Sequence, residues 1–142
     1  VIDYLVQRDV TVICAGGGGI PVVEHDDGGV VGVEAVIDKD HASALLARAL
    51  GADRLLLLTD VDAVYTGWAT SNAKPIRSAN PSSIDPTEFA VGSMRPKVEA
   101  AIGFTNETGN QAHIGRLDQA AEILAGRAGT MISVVAENRG AD

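Results

Sequence analysis

Two lysines stand where helices are predicted to begin, which is the end of a helix where a positive charge is least favourable. Lys39 lies between Asp38 and Asp40, and Lys97 follows Pro96. The free N–H groups and the dipole of a helix N-terminus favour anions. A shared anionic ligand such as a phosphate would account for both lysines. A capped, solvated helix start with Lys39 in water would account for the first one alone.

Two other segments carry residue types suited to ligand binding. Asp60 and Asp62 follow an aliphatic run and would point to the same side if that strand continued. Such a pair could hold Mg²⁺ through water, hydrogen-bond a ribose or cap a loop. A run of glycines fits neither a dinucleotide fingerprint nor a Walker A loop, and permits either close approach to a ligand or a tight chain reversal. This run is Gly16, Gly17, Gly18 and Gly19.

Hydrophobic periodicity places these residues among alternating helices and strands. It predicts helices at 1–8, at 40–50 with Asp40 as N-cap and Gly51 as stop, from Pro96 onward, and at 117–124. Strands are expected at 10–14, 54–59, 111–114 and 130–135, with a polar tail after them. A hairpin is expected within 22–37, and mostly loop within 66–88 with a short helix near 81–85.

This order of elements predicts an α/β protein, a three-layer α/β/α sandwich around a mostly parallel sheet. Ligand sites in such sheets lie at the carboxyl ends of strands. The glycine run, the Asp60 segment and the helix entry at residues 92–97 all follow predicted strands or lead into helices. These three segments are therefore candidates for a ligand site.

Composition limits the classes of partner. The chain has 142 residues, 46% of them hydrophobic, and a net charge of −8, which predicts a single domain and argues against nucleic acid as a partner. No apolar run approaches the ~20 residues that cross a bilayer, so we expect no membrane partner. Cys14 is the only cysteine and is expected to be a buried, inert thiol. A reducing, cytoplasmic location fits this cysteine usage.

Several longer motifs, in one order along nearly the whole chain, resemble the C-terminal portion of the carbamate kinases, a branch of the amino acid kinase family. These motifs are AGGGGIPVV, GVEAVIDKD, LLLLTDVDAVY, FAVGSMRPKVEAA and IGRLDQAAEILAGRAGTMI. The resemblance implies a three-layer α/β/α fold and phosphoryl transfer between ATP and carbamate. It also implies Mg²⁺ carried by the nucleotide, a role in arginine metabolism and a homodimer.

The same resemblance assigns roles to individual residues. Lys39 matches a lysine that touches the transferring phosphate, Asp40 the aspartate that orients the catalytic lysines, and Lys97 a lysine on the nucleotide phosphates. The glycine run would lie toward the acceptor. The residues that match nucleotide-binding segments of the family are Thr59, Asp60, Val61, Asp62, Tyr65, Gly92, Ser93 and Met94.

Two departures from the family pattern keep alternatives open. Arg95 stands where the family has glycine, beside the expected phosphates. The family's N-terminal half, with a glycine-rich phosphate loop and further acceptor contacts, has no counterpart in these residues. We therefore expect residues 1–142 to be one nucleotide-binding domain and a fragment of a longer protein. A catalytically inactive nucleotide-binding module and a kinase for another carboxylate acceptor are the alternatives.

Overall fold

The computed structural model describes residues 1–134. Its helices are α1 Ile2–Val6, α2 Lys39–Ala49, α3 Met94–Thr108 and α4 Ala120–Leu124. Its strands are β1 Val22–Glu24, β2 Val30–Gly32, β3 Arg54–Thr59, β4 Val64–Thr66, β5 Lys74–Ile76, β6 Ser78–Ala79, β7 Gln111–Arg116 and β8 Thr130–Ile132. Short 3₁₀ turns occur at Pro81–Ser83, Pro86–Glu88 and Leu117–Gln119.

A four-stranded sheet in the order β3-β7-β8-β6 forms the centre of the molecule. The pairs β3–β7 and β6–β8 are parallel, while β7–β8 is antiparallel. The sheet is therefore mixed, with parallel pairing at both edges. The strand pairs β1–β2 and β4–β5 are separate antiparallel hairpins. The predicted α/β class is confirmed.

Helices cover both faces of this sheet. The fully buried Phe104 of α3 belongs to the same apolar cluster as Ile114 of β7 and Ile132 of β8. Because successive strand residues face opposite sides, Gly115 points away from that cluster. A Cβ on Gly115 would lie only 2.8 Å from Cδ1 of Ile123 in α4, so α4 packs tightly on the second face.

Several predicted elements occur with the expected or nearly the expected bounds. Strand β3 covers residues 54–59, and the hairpin expected within 22–37 is β1–β2. Gly51, with φ +62°, follows the end of α2 as its predicted stop. Strand β7 continues two residues beyond its predicted end, to Arg116. The expected end of the last strand at residue 135, and the polar tail, lie outside the described residues.

One predicted strand is wrong, and two other predictions differ from the structure in detail. Residues 10–14 form no strand within the described chain, and Ile13 is 98% exposed. A β-branched sequence becomes a strand only when a partner satisfies its backbone groups. The region 66–88 is mostly loop with a 3₁₀ turn at Pro81–Ser83, as expected, but it also contains β5 and β6, which pair with β4 and β8. Helix α3 begins at Met94 rather than at Pro96.

The apolar stripe of α2, formed by Ala42, Leu45, Leu46 and Ala49, does not face the core. Helix α2 packs on α3 through Ala44 and Ala47, whereas Leu45 is 60% exposed. The stripe is one wall of an open apolar groove of about 1,090 Å³, which also contains Cys14. Cys14 is exposed, contrary to the expectation of a buried thiol. Within the described residues no helix has the length and apolar character needed to cross a membrane.

Candidate phosphate and nucleotide site

A buried carboxylate holds two lysine amines at one point of the structure. Nζ of Lys97 donates to Oδ2 of Asp40 at 2.9 Å, and Nζ of Lys39 lies 3.8 Å from the same oxygen. The side chains of Asp40 and Lys97 are only 9% and 10% exposed, whereas that of Lys39 is 60% exposed. Two lysines separated widely in sequence therefore meet at one carboxylate, with a net positive charge and one amine open to solvent.

The start of α2 places Asp40 and Lys39 at this point. Asp38, not Asp40, is the N-cap: its Oδ1 accepts hydrogen bonds from the backbone N–H groups of Asp40 at 2.8 Å and His41 at 3.1 Å. Burial acts to raise the pKa of Asp38, but these hydrogen bonds outweigh it and leave the pKa below its ordinary value. Because Asp38 caps the helix, the side chain of Asp40 is available to bind the lysines.

Lys97 comes from the first turn of α3, which packs against α2. The adjacent Val98 is fully buried in the core, so the backbone at this turn is fixed by packing. The amine can then reach across to α2 rather than into solvent. The starts of the two helices are thus joined through a buried ion pair.

A cavity of about 290 Å³ extends away from Lys97. Most of the residues predicted to bind nucleotide line it: Thr59, Asp60, Val61, Tyr65, Ser93 and Met94. One part of its wall follows the end of β3, and another part is formed by residues 88–90 and the start of α3. Its size is near the ~300 Å³ lower limit of typical ligand pockets. Asp62 and Gly92 do not line it.

The two aspartates after β3 do not act as a pair. Strand β3 ends at Thr59, so the alternation that would place Asp60 and Asp62 on one side does not continue. Asp60 lines the cavity and accepts from the Thr59 hydroxyl at 3.1 Å. Asp62 accepts from the Tyr65 hydroxyl at 2.9 Å and lies 3.7 Å from Arg77. The hydrogen bond to Asp62, with some burial, raises the pKa of Tyr65.

The glycine run is a largely exposed turn that approaches the segment before α2 at Gly18. A Cβ on Gly18 would lie 2.4 Å from the carbonyl oxygen of Ile37, the residue before the helix cap. Gly16 and Gly17 have open space at the corresponding position. Gly17, Gly18 and Gly19 also line the apolar groove described above. The run thus lies against the segment that leads to Lys39, and Gly18 makes its closest contact there.

Sequence reasoning missed Trp68, Glu88 and Phe89, which also line the cavity. Trp68 lies in the turn between β4 and β5, with its ring 5.4 Å from that of Tyr65 in an edge-on arrangement. Glu88 and Phe89 belong to the part of the wall that precedes α3. A lone tryptophan in a loop carries no periodic signal. Its position became predictable only once β4 and β5 were seen to pair.

The described residues offer no protein-based metal centre. Among residues 1–134, no three or more His, Cys, Asp or Glu side chains are grouped so that they could hold a metal ion. Asp40 is already engaged by two amines, and Asp62 by Tyr65 and Arg77. The arrangement is suited to an anion, because its lysine amines donate hydrogen bonds and carry positive charge.

Comparison with known proteins relates this geometry to one family. The sequence profile of the amino acid kinase family matches residues 1–116. Carbamate kinase of Haemophilus influenzae is 48% identical over 132 residues, which are 93% of this chain and 43% of that protein. Carbamate kinase of Escherichia coli K12 is 50% identical over 133 residues, 94% of this chain and 43% of that protein.

A solved structure gives the same relation in three dimensions. Carbamate kinase from Giardia lamblia bound to AMP-PNP superposes with a TM-score of 0.87 at 40% identity. The match covers 93% of this chain and 47% of that one. This chain therefore spans less than half the length of the relatives that it matches.

Proposed function

This chain belongs to the amino acid kinase family, and from that premise we propose that residues 1–142 form the nucleotide-binding domain of a carbamate kinase. The reaction is ATP plus carbamate giving ADP plus carbamoyl phosphate. A carbamate oxygen forms a bond to the γ-phosphorus as the bond to the β,γ-bridging oxygen breaks. The observation that carries the proposal is the convergence of Lys97 and Lys39 on Asp40 at the end of the cavity.

The two lysines are suited to different tasks. Lys97 is buried, and its hydrogen bond to Asp40 fixes its direction, so it would hold the nucleotide phosphates. Lys39 is exposed and only loosely held at 3.8 Å, so its amine can move to the transferring phosphoryl group. Phosphoryl transfer depends mainly on positioning and on neutralising charge spread over the phosphate oxygens. No general base is required, because carbamate is already an anion.

The remaining cavity is suited to the nucleoside. Tyr65 and Trp68 lie in a different segment of the sequence from the lysines and offer aromatic faces to the cavity. Asp60 offers a carboxylate to a ribose hydroxyl. Mg²⁺ would enter with the nucleotide as part of the substrate. The glycine run beside Lys39 would face the acceptor, since it packs against the residue before the helix cap.

Calorimetric titration with Mg-ADP tests nucleotide binding. We expect saturable binding by the wild type, and a loss of affinity of about tenfold or more in Lys97→Met, because a buried charge–phosphate contact is removed. Lys74→Met removes an exposed lysine that does not line the cavity, and should bind like the wild type. No binding by the wild type, or equal binding by both variants, would contradict the proposal.

A nucleotide-binding module without turnover is a second candidate, favoured by Arg95 at a position where the family pattern has glycine. A coupled assay that supplies carbamoyl phosphate and ADP and detects ATP separates the two. Turnover that disappears in Lys39→Met supports the kinase. Mg-ADP binding without turnover supports the module. A cytoplasmic location, a homodimer and a role in arginine metabolism are further parts of the kinase proposal.

A further inference from the structure

The side chain of Arg95, at the start of α3, binds the backbone of the segment that precedes the helix. Its Nη2 donates to the carbonyl of Thr87 at 2.7 Å, and its Nε donates to the carbonyl of Phe89 at 3.3 Å. Its backbone N–H donates to the carbonyl of Ala90 at 3.1 Å. One residue therefore holds three carbonyls of the preceding turn. The guanidinium expected beside the phosphates is instead engaged by the backbone of residues 87–89.

That turn is one wall of the nucleotide cavity. Glu88, Phe89 and Ala90 line it together with the residues that follow β3. Its near end is fixed by Asp85, whose carboxylate accepts from the backbone N–H and the hydroxyl of Thr87, both at 2.8 Å. These hydrogen bonds lower the pKa of Asp85, and the positive charge of Arg95 contributes in the same direction.

We infer that Arg95 is a positioning residue, which fixes the wall formed by residues 85–90 and thereby sets the fit of the nucleoside part of a bound nucleotide. This inference rests on the proposed nucleotide site. A glycine at this position would leave the carbonyls of Thr87 and Phe89 without these donors. Arginine supplies two donors in a fixed planar arrangement, which lysine can only partly reproduce.

The inference predicts a separation between two ligands. The wall lies along the cavity, whereas the phosphate end is formed by Lys39, Asp40 and Lys97 on the two helix starts. Arg95→Ala should therefore weaken ADP binding about tenfold, the effect of losing well-placed contacts, and leave the affinity for inorganic tripolyphosphate unchanged. Arg95→Lys should recover part of the ADP affinity. A general loss of structure would weaken both ligands together.

Calorimetric titration of the full chain with ADP and with tripolyphosphate provides the test. Arg127→Ala is the matched control, because Arg127 is exposed, holds Glu122 through two hydrogen bonds and does not line the cavity. Hydrogen–deuterium exchange should be faster at residues 86–90 in Arg95→Ala than in Arg127→Ala. Thermal denaturation of each variant establishes that it is folded.

The outcomes distinguish the inference from the proposed function. Failure of the wild type to bind either ligand overturns the proposed function, and with it the role assigned to Arg95. Wild-type ADP binding with an unchanged affinity in folded Arg95→Ala overturns the inference alone. Equal weakening of ADP and tripolyphosphate, or unchanged exchange at residues 86–90, also overturns it. Weakened ADP binding with unchanged tripolyphosphate binding and partial recovery in Arg95→Lys supports it.

Discussion

At the scale of single residues, the carboxylate of Asp40 keeps two like charges together. Its oxygen Oδ2 contacts both Lys97 and Lys39, and its side chain is 9% exposed. Desolvating a carboxylate and an ammonium is costly, and the mutual attraction compensates only while both partners are present. The pair is therefore a sensitive point for stability as well as for ligand binding.

Asp40→Asn is expected to lower the free energy of unfolding by about 3–5 kcal/mol, the usual effect of leaving one partner of a buried ion pair uncompensated. Asp118→Asn is the matched control. Asp118 accepts from Arg116 at 2.7 Å, but both side chains are largely exposed, so the loss should be much smaller than in Asp40→Asn. Urea denaturation at neutral pH measures both. A loss in Asp40→Asn no larger than in Asp118→Asn would contradict this assignment.

Gly18 is the residue of the glycine run at which a side chain would collide with backbone. A methyl group on it would lie 2.4 Å from the carbonyl oxygen of Ile37, so we expect Gly18→Ala to cost about 1–3 kcal/mol in stability. Gly17→Ala, with nothing within 4 Å, should cost well below that. Thermal denaturation of the two variants checks the difference. Equal midpoints would show that the turn can relax away from Ile37.

At the scale of elements, the start of α2 decides where the charges of the site lie. The sequence predicts a helix over 40–50 with Asp40 as cap, and the helix begins one residue earlier with Asp38 as cap. Two aspartates separated by one residue offer two registers of capping, and sequence alone does not choose between them. The choice follows from Lys97, which arrives from α3 and engages Asp40.

Asp38→Ala should lower the free energy of unfolding by about 1 kcal/mol at neutral pH, because the N-cap acceptor is lost. Asp38→Asn keeps an acceptor, so its free energy of unfolding at neutral pH should stay close to that of the wild type. Since folding lowers the pKa of Asp38, its contribution is present above the unfolded value of about 3.9 and is lost as pH falls through the folded value.

Denaturation series between neutral and acidic pH therefore separate the three proteins. As the medium becomes strongly acidic, the carboxylate of Asp38 takes up a proton. The free energy of unfolding of the wild type should then fall relative to that of Asp38→Asn. A difference that stays constant across the series would show that Asp38 is not an ionised cap.

The strands show which information a local sequence lacks. The aliphatic run of β3 predicts its own bounds although β3 lies at an edge of the sheet, because Leu55 and Leu57 are buried in the core. Residues 10–14 are richer in β-branched side chains than β3, but they have no partner strand among the described residues. Strands β5 and β6 contain Pro75 and Ser78, which disfavour a strand, and form through pairing with β4 and β8. Pairing between distant segments decided these cases.

The residues of the candidate site also differ in whether the sequence alone could identify them. Lys39, Asp40 and Lys97 could be selected from sequence, because cations at helix starts are anomalous and anomalies indicate a ligand. Trp68 and Phe89 could not, since their place in the cavity depends on the β4–β5 turn and on the wall that Arg95 holds. Charged residues at unfavourable positions are visible locally, whereas packing between loops is not.

At the scale of the whole molecule, an open apolar groove lies between the glycine run, residues 35–37 and α2. Its volume is about 1,090 Å³, and Ile20 and Val36, which line it, are 86% and 95% exposed. Apolar patches of this extent are usually covered by another surface. At high protein concentration in solution, a second copy of the chain can supply a surface that covers the groove.

We therefore predict that the chain self-associates through this groove, with a sedimentation coefficient that rises with protein concentration. Leu45→Glu places a charge on the groove wall at a side chain that is 60% exposed, so it should weaken association about tenfold or more without unfolding the chain. Leu117→Glu is the matched control, because Leu117 is 71% exposed and lies outside the groove. Analytical ultracentrifugation distinguishes the outcomes: a monomeric wild type, or equal dissociation by both variants, would mean that the groove does not drive association.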